Sequence, residues 1–450
     1  MHAKLWTGAF LIASGVAHGA HAAESVEDRI AKLEEEIQHL KRDAAKEEAK
    51  PVAPSAPVAV KSDAPNVEFG KKGLKFTSSD GDLSLRLHGY AQLDNRTVSG
   101  DGSDSGSDEF IVRRARPIVE GELGSDFTFR LMYDFGEGQS RLFDAHVDYM
   151  PSKIVNVRVG KFKPPVGLER LKGAPDLTFA ERGMTTNLAP NRDVGVMAYG
   201  AILPQLSYEA GAFNGVADLG NGDGDDDGGK EFAGRLFAHP FIETDSAFKG
   251  LGVGVGGSWG EKQGSAAARE VGDYRTQSQA RFFRYAGGAF ADGDHWRLAP
   301  QGYYYHGPLG ALAEYAISNQ EVRNGANVDS IENTAWETQV SYLVTGENAS
   351  YRGWPVPKNT FNPKNGGWGA WEVAARYGEL KIDDDAFPLF ADPAVSAKRA
   401  HSGGAAINGY LNENLKVTLD YERTAFDGGS TAGGDRKTED ALISRLSVQF

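Results

Sequence analysis

From about residue 80 to the last residue, apolar and polar side chains alternate with a period of two. This predicts a succession of β-strands, each with one apolar face. The first clear strand sets Leu83, Leu85, Leu87, Gly89, Ala91 and Leu93 against Ser84, Arg86, His88, Tyr90, Gln92 and Asp94. Phe127, Phe129, Leu131, Tyr133 and Phe135 then oppose Thr128, Arg130, Met132 and Asp134. Phe143, Ala145, Val147 and Tyr149 oppose Asp144, His146 and Asp148, and Val155, Val157 and Val159 oppose Asn156, Arg158 and Gly160. Apolar stripes return at Leu251, Val253, Val255 and Trp259, at Trp336, Val340, Tyr342 and Val344, and at Leu415, Val417, Leu419 and Tyr421. The terminal stretch repeats the pattern. Leu442, Leu446, Val448 and Phe450 share a face, Arg445, Ser447 and Gln449 take the other, and Ile443 breaks the alternation. Gly, Asp and Asn clusters separate the strands.

No internal run approaches the ~20 apolar residues that a membrane helix requires. Strands that long, with one apolar face each, fit a closed antiparallel barrel, since lipid tolerates no open sheet edge. The predicted fold is therefore an all-β transmembrane barrel. Even strand counts in bacterial single-chain barrels favour about 16 strands, with 18 as the alternative. The terminal strand needs a closing partner, and the segment Leu83–Leu93 is the expected one. The 56 glycines and the absence of Cys among 450 residues suit such a barrel and exclude disulfide and thiolate chemistry.

The segment before the barrel reads differently. Residues 1–23 have a positive n-region at Lys4, a short apolar core from Leu5 to Val16 and small residues around Ala20-His21-Ala22, as in a secretory leader. Within residues 24–50, Val26, Ile30, Leu33, Ile37 and Leu40 are spaced four and three apart in turn, which predicts a short coiled-coil helix. Residues 51–69 hold Pro51, Pro54, Pro57 and Pro65 and read as a semi-rigid linker. Residues 70–450 are the barrel. The expected location is the outer membrane, with the N-terminal extension in the periplasm. Residues 24–65 are then candidates for a peptidoglycan or other periplasmic contact.

Charge narrows the function. The formal net charge of -14 argues against a nucleic-acid partner. No nucleophile elbow, zinc-binding helix motif or phosphate-binding Gly-rich loop is present, so no enzyme and no cofactor are expected. Asp223, Asp225 and Asp227 have the spacing of a calcium loop without the closing Glu, and are weak Ca²⁺ candidates only. Arg86, Arg130 and Arg158 oppose apolar stripes. A guanidinium on the lipid face costs roughly 2–4 kcal/mol near the midplane, so these side chains are expected to face the lumen. Arg114 and Arg116 share a face with Glu120 and Glu122 and join them, while Arg113 is expected at the outer rim or at a bulge. The stretch from Phe162 to Arg192 is long for a surface connection and is expected to fold into the lumen. Lys161, Lys163, Arg170 and Lys172 crowd its first half. The lumen arginines either guide anions or pair with Asp94, Asp134 and Asp148 to stiffen the wall.

Five stretches resemble the phosphate- and polyphosphate-selective porins of Gram-negative outer membranes. They are FIVRRARPIVEGELGSDFTFRLMYDF (110–135), VRVGKFKPPVGLERLKG (157–173), DLTFAERGMTTNLAPNRDVGVMAYG (176–200), RLAPQGYYYHGPLGALAEY (297–315) and GGWGAWEVAARYGEL (366–380). The resemblance implies a trimeric barrel in outer-membrane lipid, with loops that narrow the pore and a route for inorganic anions along arginines and lysines. By face, Arg86, Arg114, Arg116, Arg130 and Arg158 fit that route. Lys161, Lys163, Arg170 and Lys172 fall in the region of the constriction. Two rival readings stand beside it: a general or weakly cation-preferring porin, and a barrel that anchors a periplasmic coiled coil.

Overall fold

The computed structural model describes residues 26–48, 64–100, 108–225 and 227–450. The expected leader and most of the expected Pro-rich linker lie outside the described residues. The chain forms two units, Met1–Ser62 and Asp63–Phe450. In the first, one helix, α1 (Val26–Glu48), carries the heptad positions. Leu33, Ile37 and Leu40 along it are exposed by 57%, 50% and 66%.

The second unit is all β apart from a few single turns. A hairpin of β1 (Asn66–Gly70) and β2 (Gly73–Thr77) comes first, so regular structure begins inside the stretch 51–69. Then follow β3 (Leu83–Ser99), β4 (Glu109–Leu123), β5 (Phe127–Asp134), β6 (Arg141–Tyr149), β7 (Asn156–Phe162) and α2 (Leu168–Leu171). Next are β8 (Asp193–Leu203), β9 (Leu206–Phe213), β10 (Glu231–Ala238), β11 (Leu251–Gln263), β12 (Tyr274–Arg275) and β13 (Arg281–Phe283). The chain continues through β14 (Ala289–His306), β15 (Leu309–Asn324), β16 (Asn327–Leu343), β17 (Ala370–Lys381), β18 (Ala397–Tyr410), β19 (Leu415–Gly428) and β20 (Glu439–Gln449). Sixteen strands, β3–β11 and β14–β20, pair antiparallel in chain order, and β20 returns to pair with β3. Leu446 lies opposite Leu93, and the Phe450 backbone exchanges both hydrogen bonds with Gly89, at 2.9 and 3.0 Å. The ring has no free edge, which is what lipid demands of a sheet.

The alternation predicts the two surfaces of this ring. Leu93, Phe127, Leu131, Val147, Trp259, Val340, Tyr342 and Leu419 are exposed, while Asp94, Arg114, Arg116 and Arg445 are buried. Such an inside-out arrangement places the apolar band outward and the polar side chains inward. Ile443, the break in the terminal pattern, is fully buried inside.

Two β-bulges alter the pattern where it matters. Between β3 and β4 the register steps from Gln92 opposite Arg114 to Leu93 opposite Val112, leaving Arg113 unpaired. Its guanidinium then reaches the inward-folded Glu181, with Nε 2.8 Å from the carboxylate. Between β5 and β6 the register steps from Met132 opposite Asp144 to Tyr133 opposite Leu142, leaving Phe143 unpaired. The alternation places Phe143 on the lipid face. The bulge instead turns it into a buried cluster with Tyr90, Ile118, Met132 and Ala174. One extra residue in a strand resets the facing of its neighbours, which is the physical reason for the difference.

The connection from residue 163 to 192 folds into the ring, as its length predicts. Leaving β7, it crosses to the opposite wall and docks there by its backbone. Leu168 and Glu169 donate N–H bonds to Glu314 of β15 (2.6 and 3.2 Å), and Ala180 N–H donates to Asp420 of β19 (2.8 Å). Asn408 and Lys416 donate to the Thr178 and Leu177 carbonyls, both at 2.8 Å. A methyl group at Gly183 would lie 1.1 Å from Glu337 Oε2, so any larger residue there would have to displace the Glu337 carboxylate of β16. From the end of the ring that holds Phe450, the segment 344–369 meets the same loop. Tyr351 Oη donates to Leu168 O (2.7 Å) and Trp354 Nε1 to Pro175 O (2.9 Å).

Candidate functional site

Because the inward loop spans the ring, it divides the interior into two chambers. The chamber on the terminal side is a cavity of about 790 Å³, and the one on the far side is about 420 Å³. Nine cationic side chains and four carboxylates line the first, and eight cationic side chains and three carboxylates line the second. Charge in the lining therefore runs opposite to the charge of the chain as a whole.

Arg116 and Arg192 line both chambers. Arg116 Nε donates to Asp134 (2.7 Å) and its Nη1 to Tyr90 Oη (2.7 Å). Arg192 Nε donates to Asp144 (3.1 Å) and its Nη1 to Asn191 (2.7 Å). Both guanidinium carbons lie over the Phe143 ring, 4.0 and 4.6 Å from its centroid. Each guanidinium carries five N–H groups, so both keep donors beyond these bonds.

On the far side, the two oxygens of Glu181 receive four arginines. Arg445 and Arg96 approach Oε1 at 2.6 and 3.2 Å, Arg113 reaches it at 2.8 Å, and Arg114 reaches Oε2 at 2.7 Å. Asp94 adds a second carboxylate, 2.6 Å from Arg445 and 2.8 Å from Arg96. This cluster ties the tip of the loop to β3, β4 and β20. On the terminal side, Arg86, Arg130 and Arg158 are about a third exposed, and pair with Glu120, Glu120 and Asp148 at 3.8, 2.5 and 2.7 Å. The wall pairing expected from sequence thus exists, with Glu120 in place of a predicted partner for Arg86 and Arg130.

The loop cations are less neutralised. Lys163 donates to the Leu171 and Lys172 carbonyls at 3.2 and 2.7 Å. Arg182 donates to the Glu169 and Lys172 carbonyls, and Arg170 to the Thr186 carbonyl. None of the three forms an ion pair among the described residues. Burial, then the neighbouring Arg192 and Arg182, pulls the Lys163 ammonium well below the usual lysine range.

Of the residues singled out in sequence, Arg86, Arg116, Arg130, Arg158 and Lys163 line the terminal-side chamber, and Arg114, Arg116 and Arg170 the far one. Lys161 and Lys172 line neither. Lys161 is buried against Asp223, and the Lys172 ammonium sits 5.4 Å from the Tyr351 ring centroid. Sequence reasoning does not assign Arg113, Arg182, Arg192 or Arg352 to the pathway, although Arg113 is expected at the rim or at a bulge and Arg182 and Arg192 fall near the end of the long loop. Arg113 hides behind a bulge, and Arg352 lies in a segment with no strand pattern. The three calcium candidates turn to different partners. Asp223 pairs with Lys161, Asp225 with Lys230, and Asp227 accepts from the Gly229 and Gln263 backbones. No group of three or more metal-binding side chains occurs among the described residues.

Residues 85–450 match the family model described as phosphate-selective porin O and P. The chain belongs to this family. It is 27% identical over 416 residues to Porin O of Pseudomonas aeruginosa, covering 84% of this chain and 91% of that one. Its fold is similar to the outer membrane channel DcaP of Acinetobacter baumannii, with a TM-score of 0.53, 12% identity, and coverage of 83% of this chain and 99% of that one. The protein is a porin-type outer-membrane channel.

Proposed function

We propose that this porin passes small anions, with inorganic phosphate or polyphosphate as its preferred substrates. The observation that carries this reading is the excess of cations over carboxylates lining both chambers, with Arg116 and Arg192 where the chambers meet. Anions would move along Arg86, Arg130 and Arg158 on the terminal side and Arg113, Arg114, Arg170 and Arg182 on the far side. Lys163 would add charge beside the loop, while Lys161 and Lys172 would act from behind the lining. Permeation needs weak binding at several positions, and partly paired arginines provide it better than one deep site. The name of the family model, phosphate-selective porin O and P, supports phosphate as the substrate. Inorganic phosphate added to the purified porin in a planar bilayer should reduce the chloride current in a saturable way. Chloride current indifferent to phosphate would defeat the phosphate reading.

The reading extends to assembly. A leader at residues 1–23 would export the chain, and residues 51–69 would link α1 to the barrel. Leu33, Ile37 and Leu40 form an exposed apolar stripe on α1, and a coiled coil of three copies would cover it. Such a helix would lie in the periplasm, within reach of peptidoglycan, and the barrel would be a trimer. Native mass spectrometry of the full chain and of a chain lacking residues 24–65 tests the trimer and the part the helix plays in it.

A further inference from the structure

We propose that Phe143 is a positioning residue for anion passage, holding Arg116 and Arg192 as a paired-guanidinium clamp for a tetrahedral oxyanion where the two chambers meet. This rests on the anion reading above and assigns it a specific device. Three observations converge on Phe143. First, strand alternation would place this ring in lipid, and a bulge turns it into the lumen instead. Bulges are concentrated beside functional sites, where they re-aim a side chain. Second, both guanidiniums lie over the ring, at 4.0 and 4.6 Å from its centroid. Third, these same two arginines line both chambers, so an ion passing from one to the other meets them.

The bulge sets Phe143 and Asp144 in succession at this point. Asp144 holds Arg192 by its edge, at 3.1 Å from Nε, and Asp134 holds Arg116 in the same way at 2.7 Å. Phe143 holds both by their faces. Two guanidiniums in proximity repel each other, and the negative face of an aromatic ring offsets part of that repulsion without using any N–H donor. A carboxylate in the same place would neutralise the pair and use those donors. The ring therefore keeps two cations together with donors to spare. A phosphate can pair each guanidinium through two of its oxygens, whereas chloride is a single spherical acceptor without that bidentate match.

The test separates the face of the ring from its bulk. Phe143→Leu removes the aromatic face and keeps an apolar side chain. Phe143→Tyr keeps the face. Ring-fluorinated phenylalanine at position 143 keeps the shape and weakens the negative face. For each, chloride conductance at high salt and the phosphate concentration that halves the chloride current at low salt are measured on the purified porin. The expected result is a half-blocking concentration raised about fivefold by Leu and by the fluorinated ring, with Tyr like the wild type. The fluorinated protein decides the question if the Leu variant fails to insert. Phosphate block unchanged in the fluorinated protein, or lost equally with Tyr, overturns the clamp while leaving the anion reading intact. A wild-type porin that phosphate does not block overturns both.

Discussion

The two halves of the barrel wall use charge in opposite ways. On β15–β20 the inward carboxylates Glu314, Glu337, Glu372, Asp420 and Glu422 are buried beneath the loop, and Glu314 and Asp420 hold it directly. On β3–β7 the inward arginines Arg86, Arg130 and Arg158 remain partly open to the terminal-side chamber, each with a carboxylate at its side. Glu314 and Asp420 accept from loop backbone donors, and Glu422 pairs with Arg376 at 2.5 Å. Acidity in this chain thus sits in loops and behind the constriction, and the net charge of -14 says little about the surface an ion meets. The acidic wall holds the loop; the basic wall and the loop's own cations form the lining.

The largest break in this contrast should come from releasing the loop. Glu314→Ala with Asp420→Ala removes acceptors from the Leu168, Glu169 and Ala180 N–H groups, at about 1–3 kcal/mol for each buried donor left unpaired. Single-channel recordings should show conductance raised severalfold, with noisy open levels. A conductance equal to the wild type would mean that the acidic wall does not hold the loop. The next effect concerns the basic side. Arg116→Glu should move the zero-current potential strongly toward cations at all salt concentrations. Arg86→Gln, in the more open chamber, should shift it less, and the shift should vanish near 1 M salt, where screening acts within about 3 Å. Equal, salt-independent shifts would erase the distinction between constriction and chamber. The smallest effect is a titration. Because Lys163 is pushed below the usual lysine range, it loses its charge at lower pH than an exposed lysine. Anion preference should therefore decline as pH rises through that lowered value, and the decline should be absent from Lys163→Met. An identical decline in the variant would assign it elsewhere.

Much of the barrel was legible in the sequence, because a period of two is a direct record of which side chains meet lipid. The pairing of the terminal strand with Leu83–Leu93 and the inward folding of residues 163–192 followed from edge closure and loop length. The bulges did not. A single inserted residue leaves the local apolar pattern of Phe143, Ala145, Val147 and Tyr149 intact while reversing the facing of its first member. The neighbours of Glu181 were hidden for another reason. Arg96, Arg113, Arg114 and Arg445 come from three strands, and only ring closure brings Arg445 beside Arg96. The docking role of Glu314 and Asp420 also depends on a loop more than a hundred residues away in sequence. Alternation tells that such groups face inward, and nothing local tells what covers them.

The central claim is that the lining, not the chain's overall charge, decides which ion passes. The zero-current potential of the purified wild-type porin in a planar bilayer under a KCl gradient tests it most directly. The account predicts the sign set by chloride, growing as the salt on both sides is lowered and screening weakens. A potential with the sign set by potassium would contradict it.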